Sequence, residues 1–520
     1  MELFLKSTDQ QLPLTFGERN ILVSAIEPDR SHLENSRPLS WSRSSSASRW
    51  PDAVEHMMAL MEGSESRLRA RRDSDRKRLE ATLGSLLLAL YGAYRVDPNE
   101  WLGYSRSKSD YRGKNRYEHP NTSPTTVVCS ADFLIEQDFV DHRKGSYNRK
   151  ANPFGGPDLS WGYVSRIRAT PKLVELLESQ FGLTPDSLMR ADWFELVRLK
   201  SAPEKPGGSK KLNDYRDTSE TRKMREELQA LNAHIATFQL DLEPLDKEVG
   251  EEVDDVKTED DENADERPDP RDHSATQLYR VFNNDCFDNG GRFYGGWWQA
   301  LRKRDRPRLL IDGEETVELD FRALHPRLCY HLQGQPLPPE ADPYTLEGLE
   351  GGELRDLAKK AFNQLLNVRS GKNPRAPKGA TALLPSKLSY KKLVERIEEK
   401  HQPIRNWFRS GRGVELQRID SDIASSILHD FMRHDICCLP VHDSFIVPRS
   451  AEFILGQAMC LAYSAQLSRF TGERVYPVIS GWSSTEMEAK VMASLSTPTI
   501  LSFEPSSLGE LVGEVAQDHQ

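Results

Sequence analysis

Cysteine is scarce. The chain has six in 520 residues (Cys129, Cys286, Cys329, Cys437, Cys438 and Cys460), and none follows a metal-ligand spacing. A disulfide framework and a structural zinc site are therefore not expected. Adjacent Cys437 and Cys438 sit in an apolar run and read as small buried hydrophobes. Long apolar runs are also missing: none approaches the roughly 18 residues of a membrane span, so no membrane partner is expected. The N-terminal MELFLKSTDQQLPL has no charged segment leading into an apolar core, so no signal peptide is expected and the expected location is cytoplasmic.

Basic charge is in deficit overall, at −10. That balance belongs to one segment. Residues 241–272 hold sixteen Asp/Glu against four Lys/Arg, a local −12 that leaves the remainder at +2. The acidity thus says little about binding surfaces elsewhere. A length of 520 residues predicts two or three folding units.

Residues 1–50, rich in Ser, Pro and Arg without periodicity, are expected to be disordered. A helical stretch from Pro51 to about Tyr94 follows. Residues 121–182 read as a helix packed by Val127, Phe133, Leu134 and Phe139, a turn at Gly145, a short strand, and a helix capped by Thr170. That outline suits a winged helix whose Arg143, Lys144, Arg149, Lys150, Arg166 and Arg168 face phosphates; a small α+β core with an incidentally basic loop suits it equally. FELVRLK is a strand candidate, and a helix begins at Ser219. Residues 241–272 read as an acidic linker between two halves, 273–490 as the second half, and 491–520 as a tail.

The second half carries the chemistry. VELDFRALHPRLCYHL alternates like a strand and then continues as a helix, which puts Asp320 at a strand end with the Phe321 carbonyl beside it. LPVHDSFIVP has two apolar runs around His-Asp-Ser, a tight hairpin with Asp443 at its tip. Two carboxylates so presented can share two metal ions about 3.5–4 Å apart. In ELRDLAKKAFNQLLN, Arg355, Lys359 and Phe362 share a helix face; the cations suit a triphosphate, and Phe362 or the amide of Asn363 an incoming base. FNNDCFDNGGRFYGGWWQALRKRDR supplies Gly, aromatics and Arg, with Arg292, Tyr294 and Trp297 as a stacking and phosphate-binding surface.

The order Gly-Gly-Arg, LDF…HP, Arg-x-x-x-Lys and VHDS resembles family A DNA polymerases and the single-subunit phage-type RNA polymerases, over about residues 278–482. The resemblance implies an α+β right-hand palm and fingers in the C-terminal half; the N-terminal half, outside the resemblance, reads as mainly helical with a winged-helix-like module. It implies Mg²⁺ (two ions, with Mn²⁺ as a substitute) on Asp320, Phe321 and Asp443. Lys359 would be catalytic beside Arg355, His325, Phe362 and Asn363 at the nucleotide, with Arg292, Gln417 and His442 on nucleic acid. DNA template and primer and nucleoside triphosphates are the implied partners, and the helix of 219–240 the implied thumb.

The match departs from the family at two points. His325 stands where DNA-synthesising members carry Glu, and Asn367-Val368 stands where Tyr-Gly usually ends the fingers helix, so sugar choice does not transfer. Two other readings remain: a winged-helix DNA-binding regulator with an inactive palm, and an HD-type phosphohydrolase built on the His-Asp doublets at 434–435 and 442–443.

Overall fold

A computed structural model describes residues 35–495 apart from 68, 112–114, 151–158, 204–207, 209, 245–267, 370–371 and 387. The chain is mixed α and β and divides into two compact units. Unit 1 takes in residues up to 113 together with 119–191; unit 2 takes in 114–118 and everything from Asp192 on. No described helix is long and apolar enough to cross a membrane.

Unit 1 contains β1 (Ser36–Pro38), β2 (Arg43–Ser45), α1 (Trp50–Ser64), α2 (Asp73–Val96), β3 (Trp101–Tyr104) and α3 (Pro124–Glu136). It continues with β4 (Val140–Arg143), β5 (Ser146–Lys150), β6 (Leu159–Tyr163), β7 (Ser165–Ala169), α4 (Pro171–Glu175) and β8 (Leu188–Arg190). The sheet order is β1-β3-β7-β4, while β2 pairs with β8 and β5 with β6.

Three expectations are corrected here. Residues 1–34 lie outside the described residues, but 35–50 is not shapeless: β1 runs parallel to β3, β2 antiparallel to β8, and Arg37 meets Glu100 at 2.8 Å. Strands of three residues are too short to show alternation. The single helix from Pro51 breaks after Ser64, because folding back lets Met57, Met58 and Met61 of α1 share one core with Leu79, Leu83 and Leu86 of α2. Arg76 ties the two helices by ion pairs to Glu55 and Glu62 at 2.8 and 3.1 Å. Thr170 does precede α4, but its hydroxyl donates to the Asp138 carbonyl at 3.0 Å and leaves the helix N-terminus without a side-chain cap.

Unit 2 opens with β9 (Val197–Leu199), α5 (Ser219–Ile235) and β10 (Leu240–Leu242), followed by β11 (Tyr279–Asn283), β12 (Cys286–Tyr294), β13 (Leu309–Ile311) and β14 (Glu314–Phe321). Next come α6 (Leu324–Leu332), α7 (Gly352–Asn367), α8 (Tyr390–Lys400) and α9 (Gly413–Arg433). β15 (Leu439–Val441), β16 (Ser444–Pro448), α10 (Glu452–Thr471), β17 (Ile479–Ser480) and α11 (Thr485–Leu495) complete it. The units therefore divide near residue 191, ahead of the acidic stretch where the sequence suggested a boundary. The reason is visible in α5. A Thr218–Thr221 capping box starts it, Met224, Leu228, Leu231 and Ile235 enter the unit 2 core, and Asn232 bonds Leu278 in both directions at 2.7 and 2.8 Å.

The main sheet runs β10-β13-β14-β16-β15, with β17 also on β14, and every pairing is antiparallel. Alternation gives it one dry face. Leu319 lies opposite Phe445 and Val317 opposite Val447, and Phe321 packs its ring near Phe445 and Tyr463 of α10 at 6.3 and 5.9 Å. Thr316, Glu318 and Asp320 fall on the other face.

Gly481 closes this sheet against the end of β14. Its φ is +97°, and an added Cβ would lie 2.2 Å from the Glu318 carbonyl oxygen. Gly481→Ala is expected to destabilise unit 2 by about 2 kcal/mol or more through strain and overpacking, measured by urea denaturation; a midpoint equal to wild type would contradict this packing.

Candidate active site

Asp320 and Asp443 are brought together by strand register. Asp320 lies opposite Ser444, the Phe321 N–H donates to the Asp443 carbonyl at 3.2 Å, and the Ser480 hydroxyl donates to the Asp320 carbonyl at 3.3 Å. The hairpin tip needs a left-handed residue, and His442 takes it with φ +59°. Its ring meets Tyr294 edge-on at 5.8 Å. The ring of Phe321 is buried, so the metal role expected of that residue rests on its backbone carbonyl.

The Asp320 carboxyl is pushed up to about 8, first by burial and then by the charge of Asp443. Glu318 adds to this, while Lys303 and Lys359 oppose it. Asp443, Lys303 and Lys359 thus all act on Asp320, although they come from four separate segments with it. Like carboxylates held together raise one another's proton affinity, and a divalent cation relieves that repulsion. Among the described residues no group of three or more His, Cys, Asp or Glu could hold a metal. Two carboxylates fit Mg²⁺, which keeps water and substrate phosphates as its other ligands, and do not fit a closed zinc cage.

A cavity of about 380 Å³ adjoins Asp320, lined among others by Lys303, Arg306, Glu318, Arg449, Ser480 and Ser483. Glu318 is occupied within it, accepting from Arg306 and from the Ser444 hydroxyl, each at 2.6 Å. Nothing in the sequence singled out Lys303, whose relation to Asp320 depends on how the segment after Trp297 folds.

Several expected contacts are corrected. Phe362 is 1% exposed and sits edge-on to Tyr344, His401 and Phe408, so it supports the helix from inside rather than meeting a base. Arg355 is committed to Asp342 at 2.5 Å; Asp342 also accepts from the Tyr344 N–H at 2.9 Å, which braces the loop before α7. The cation facing outward on α7 is Lys359, exposed and without an ion-pair partner among the described residues. Asn363 is half-buried on the same helix. Tyr294 and Trp297 are buried, and Trp297 stacks on His273 at 4.1 Å, so they form no open stacking surface. Gln417 is only 7% exposed, which leaves little of it for a groove contact.

Arg292 is not a free strand-positioning cation. It donates to Asp420 at 2.6 and 2.9 Å, and His325 lies 3.6 Å from the same carboxylate. Burial works against both charges. Arg292 is nevertheless held above its ordinary value by Asp420 and Asp443, and Asp420 is held low by Arg292 and His325. The Gly-Gly bulge before Arg292 is pinned to α9 and β11: Ser421 of α9 donates to the Gly290 carbonyl at 3.0 Å, and Arg280 of β11 to that of Gly291 at 2.7 Å. A Cβ on Gly291 would lie 2.7 Å from Phe282 and 2.9 Å from the Ser421 hydroxyl. These glycines serve a close helix–strand approach. Asp420 was missed in the sequence; a carboxylate three residues after Gln417, one turn along the same helix, was the available signal.

No protein-family model and no curated protein matches the chain.

The raised Asp320 carboxyl has a measurable consequence. Its folded value of about 8 exceeds the ordinary 3.8, so its contribution to stability is full below about pH 4 and is lost as pH rises through 8. The metal-free protein should melt at lower temperature at pH 8 than at pH 6, and Asp320→Asn should remove most of that difference. An identical pH dependence in the variant would contradict the assignment.

Proposed function

We propose that unit 2 is a template-directed nucleotidyltransferase that adds nucleoside triphosphates to a 3′-hydroxyl. One observation carries the reading: β14 and the β15–β16 hairpin bring Asp320 and Asp443 together within the electrostatic reach of Lys359. The order of motifs along the chain supports it, as does an antiparallel sheet backed by α10, which is what a palm requires. The connectivity of unit 1, with a sheet order of β3-β7-β4 around α3 and a β5–β6 hairpin, suits a winged helix.

In this reading Asp320, Asp443 and the Phe321 carbonyl hold Mg²⁺, with Mn²⁺ as a substitute. The bound metal would acidify the attacking hydroxyl and screen charge on the departing pyrophosphate. The chain's own groups do the rest. Lys359 meets the triphosphate and supplies a proton or a fixed charge to the leaving group. Arg355 holds the loop of Asp342 and Tyr344 against α7, which fixes where Lys359 points. Arg292 and His325, fixed by Asp420, form the wall beside Asp443 where the nucleotide sugar would lie, and His442 borders the primer end. Primed DNA template and nucleoside triphosphates are the partners.

The phosphohydrolase alternative loses support. Asp435 is 92% exposed and lies 3.7 Å from His234, and the Asp443 doublet is on a hairpin rather than a helix.

The test is incorporation on a primed template with Mg²⁺, with dNTPs and NTPs offered separately. Extension with one set would establish the activity and its sugar preference. Asp443→Asn should lower the rate on the order of 10³-fold or more, with affinity for the primed template nearly unchanged. Silence of the wild type with every template, with DNA still bound, would instead favour the binding-protein reading.

A further inference from the structure

Unit 1 carries a β-ribbon with a basic, aromatic root that the chemistry above leaves unused. Among the described residues β5 and β6 pair only with each other, from Ser146↔Tyr163 to Lys150↔Leu159, as a continuation of the β4–β7 pair. Five residues per strand make a ribbon about 17 Å long. Two glycines fix its root: a Cβ on Gly162 would lie 2.4 Å from the Ser146 carbonyl oxygen, and one on Gly145 would lie 2.6 Å from that of Tyr163.

The root of the ribbon is open and positively charged. Tyr147 is 73% exposed and Val164 45%. Arg143 and Lys144 are exposed where β4 leads into it. Arg166 lies over the Tyr163 ring at 4.9 Å, and Arg143 and Arg168 lie over Trp101 at 5.6 and 4.7 Å. The nearby acid, Asp141, is matched by Arg168 at 2.6 Å. Helix α3 offers the opposite balance: it contains no Lys or Arg, and it carries Asp132, paired with Arg106 at 2.6 Å, and Glu136.

We infer that the β5–β6 ribbon and its root, not helix α3, bind duplex DNA. Arg143 and Lys144 contact phosphates, and Tyr147 contacts the groove wall. A B-form major groove, about 12 Å wide, admits a two-stranded ribbon. The deep, narrow major groove of A-form RNA does not. The inference is independent of the nucleotidyltransferase reading.

The test uses the full chain in EDTA and a covalently closed dumbbell duplex, which has no 3′ end to offer the candidate active site. Wild type should bind it, with affinity falling as salt rises. Arg143→Ala with Lys144→Ala should reduce the salt slope by about 2 and weaken binding more than about tenfold near 0.1 M salt. Thr125→Ala with Glu136→Ala on α3 should not weaken it. Both pairs change exposed side chains, so melting temperatures should match wild type. An unchanged slope in the Arg143/Lys144 variant, no dumbbell binding by wild type, or equal affinity for duplex RNA would each overturn the proposal. Incorporation on primed template is read separately, so the two readings fail independently.

Discussion

Everything at the candidate site follows from one pairing, the antiparallel register of β14 with β16. That register sets Asp320 opposite Ser444 and places two carboxylates at one end of these inner strands, partly shielded from water. Like charges so placed are unfavourable, and the fold keeps them there through contacts on the opposite face. Leu319, Phe445, Phe321 and Tyr463 pack behind them, and β17 ties down the strand end through Ser480. A slip of one residue would turn Asp320 into the core and Leu319 outward, so the apolar face enforces the polar one.

Helix α9 is the second support. It carries Asp420, Ser421 and Asp422, and these hold Arg292, the Gly290–Gly291 bulge and Arg280 respectively. Buried charges there meet opposite charges, Asp420 with Arg292 and His325 and Asp422 with Arg280 and Arg418, as low dielectric surroundings require. Asp320 and Asp443 are the exception. Neither has an ion-pair partner among the described residues: Asp320 has the longer-range charge of Lys303 and Lys359 and Asp443 that of Arg292, and the proposed metal site rests on that contrast.

The sequence was most legible where local patterns decide the outcome. Alternation in VELDF and the apolar runs around His442-Asp443 are enough to place both carboxylates, since strand ends and tight hairpins leave few alternatives. The start of helix α5 at Ser219 was equally legible. Partners across the fold were not. Arg355 and Phe362 do share a side of α7, but which part of that side faces the core depends on Tyr344, His401 and Phe408, 18 to 46 residues away in sequence. The Arg355–Asp342 and Arg292–Asp420 pairs are similarly non-local. The break between α1 and α2 was hidden because a charged turn and a solvated helix face have the same composition.

The central claim is that Asp320 and Asp443 form a divalent-metal pair. Its most direct test is Mn²⁺ binding to the full chain by electron paramagnetic resonance, with primed template and a non-hydrolysable nucleoside triphosphate present. Wild type should immobilise Mn²⁺, and Asp320→Asn and Asp443→Asn should each lose that signal while keeping the wild-type circular dichroism spectrum. Wild-type Mn²⁺ binding in both variants would contradict the account.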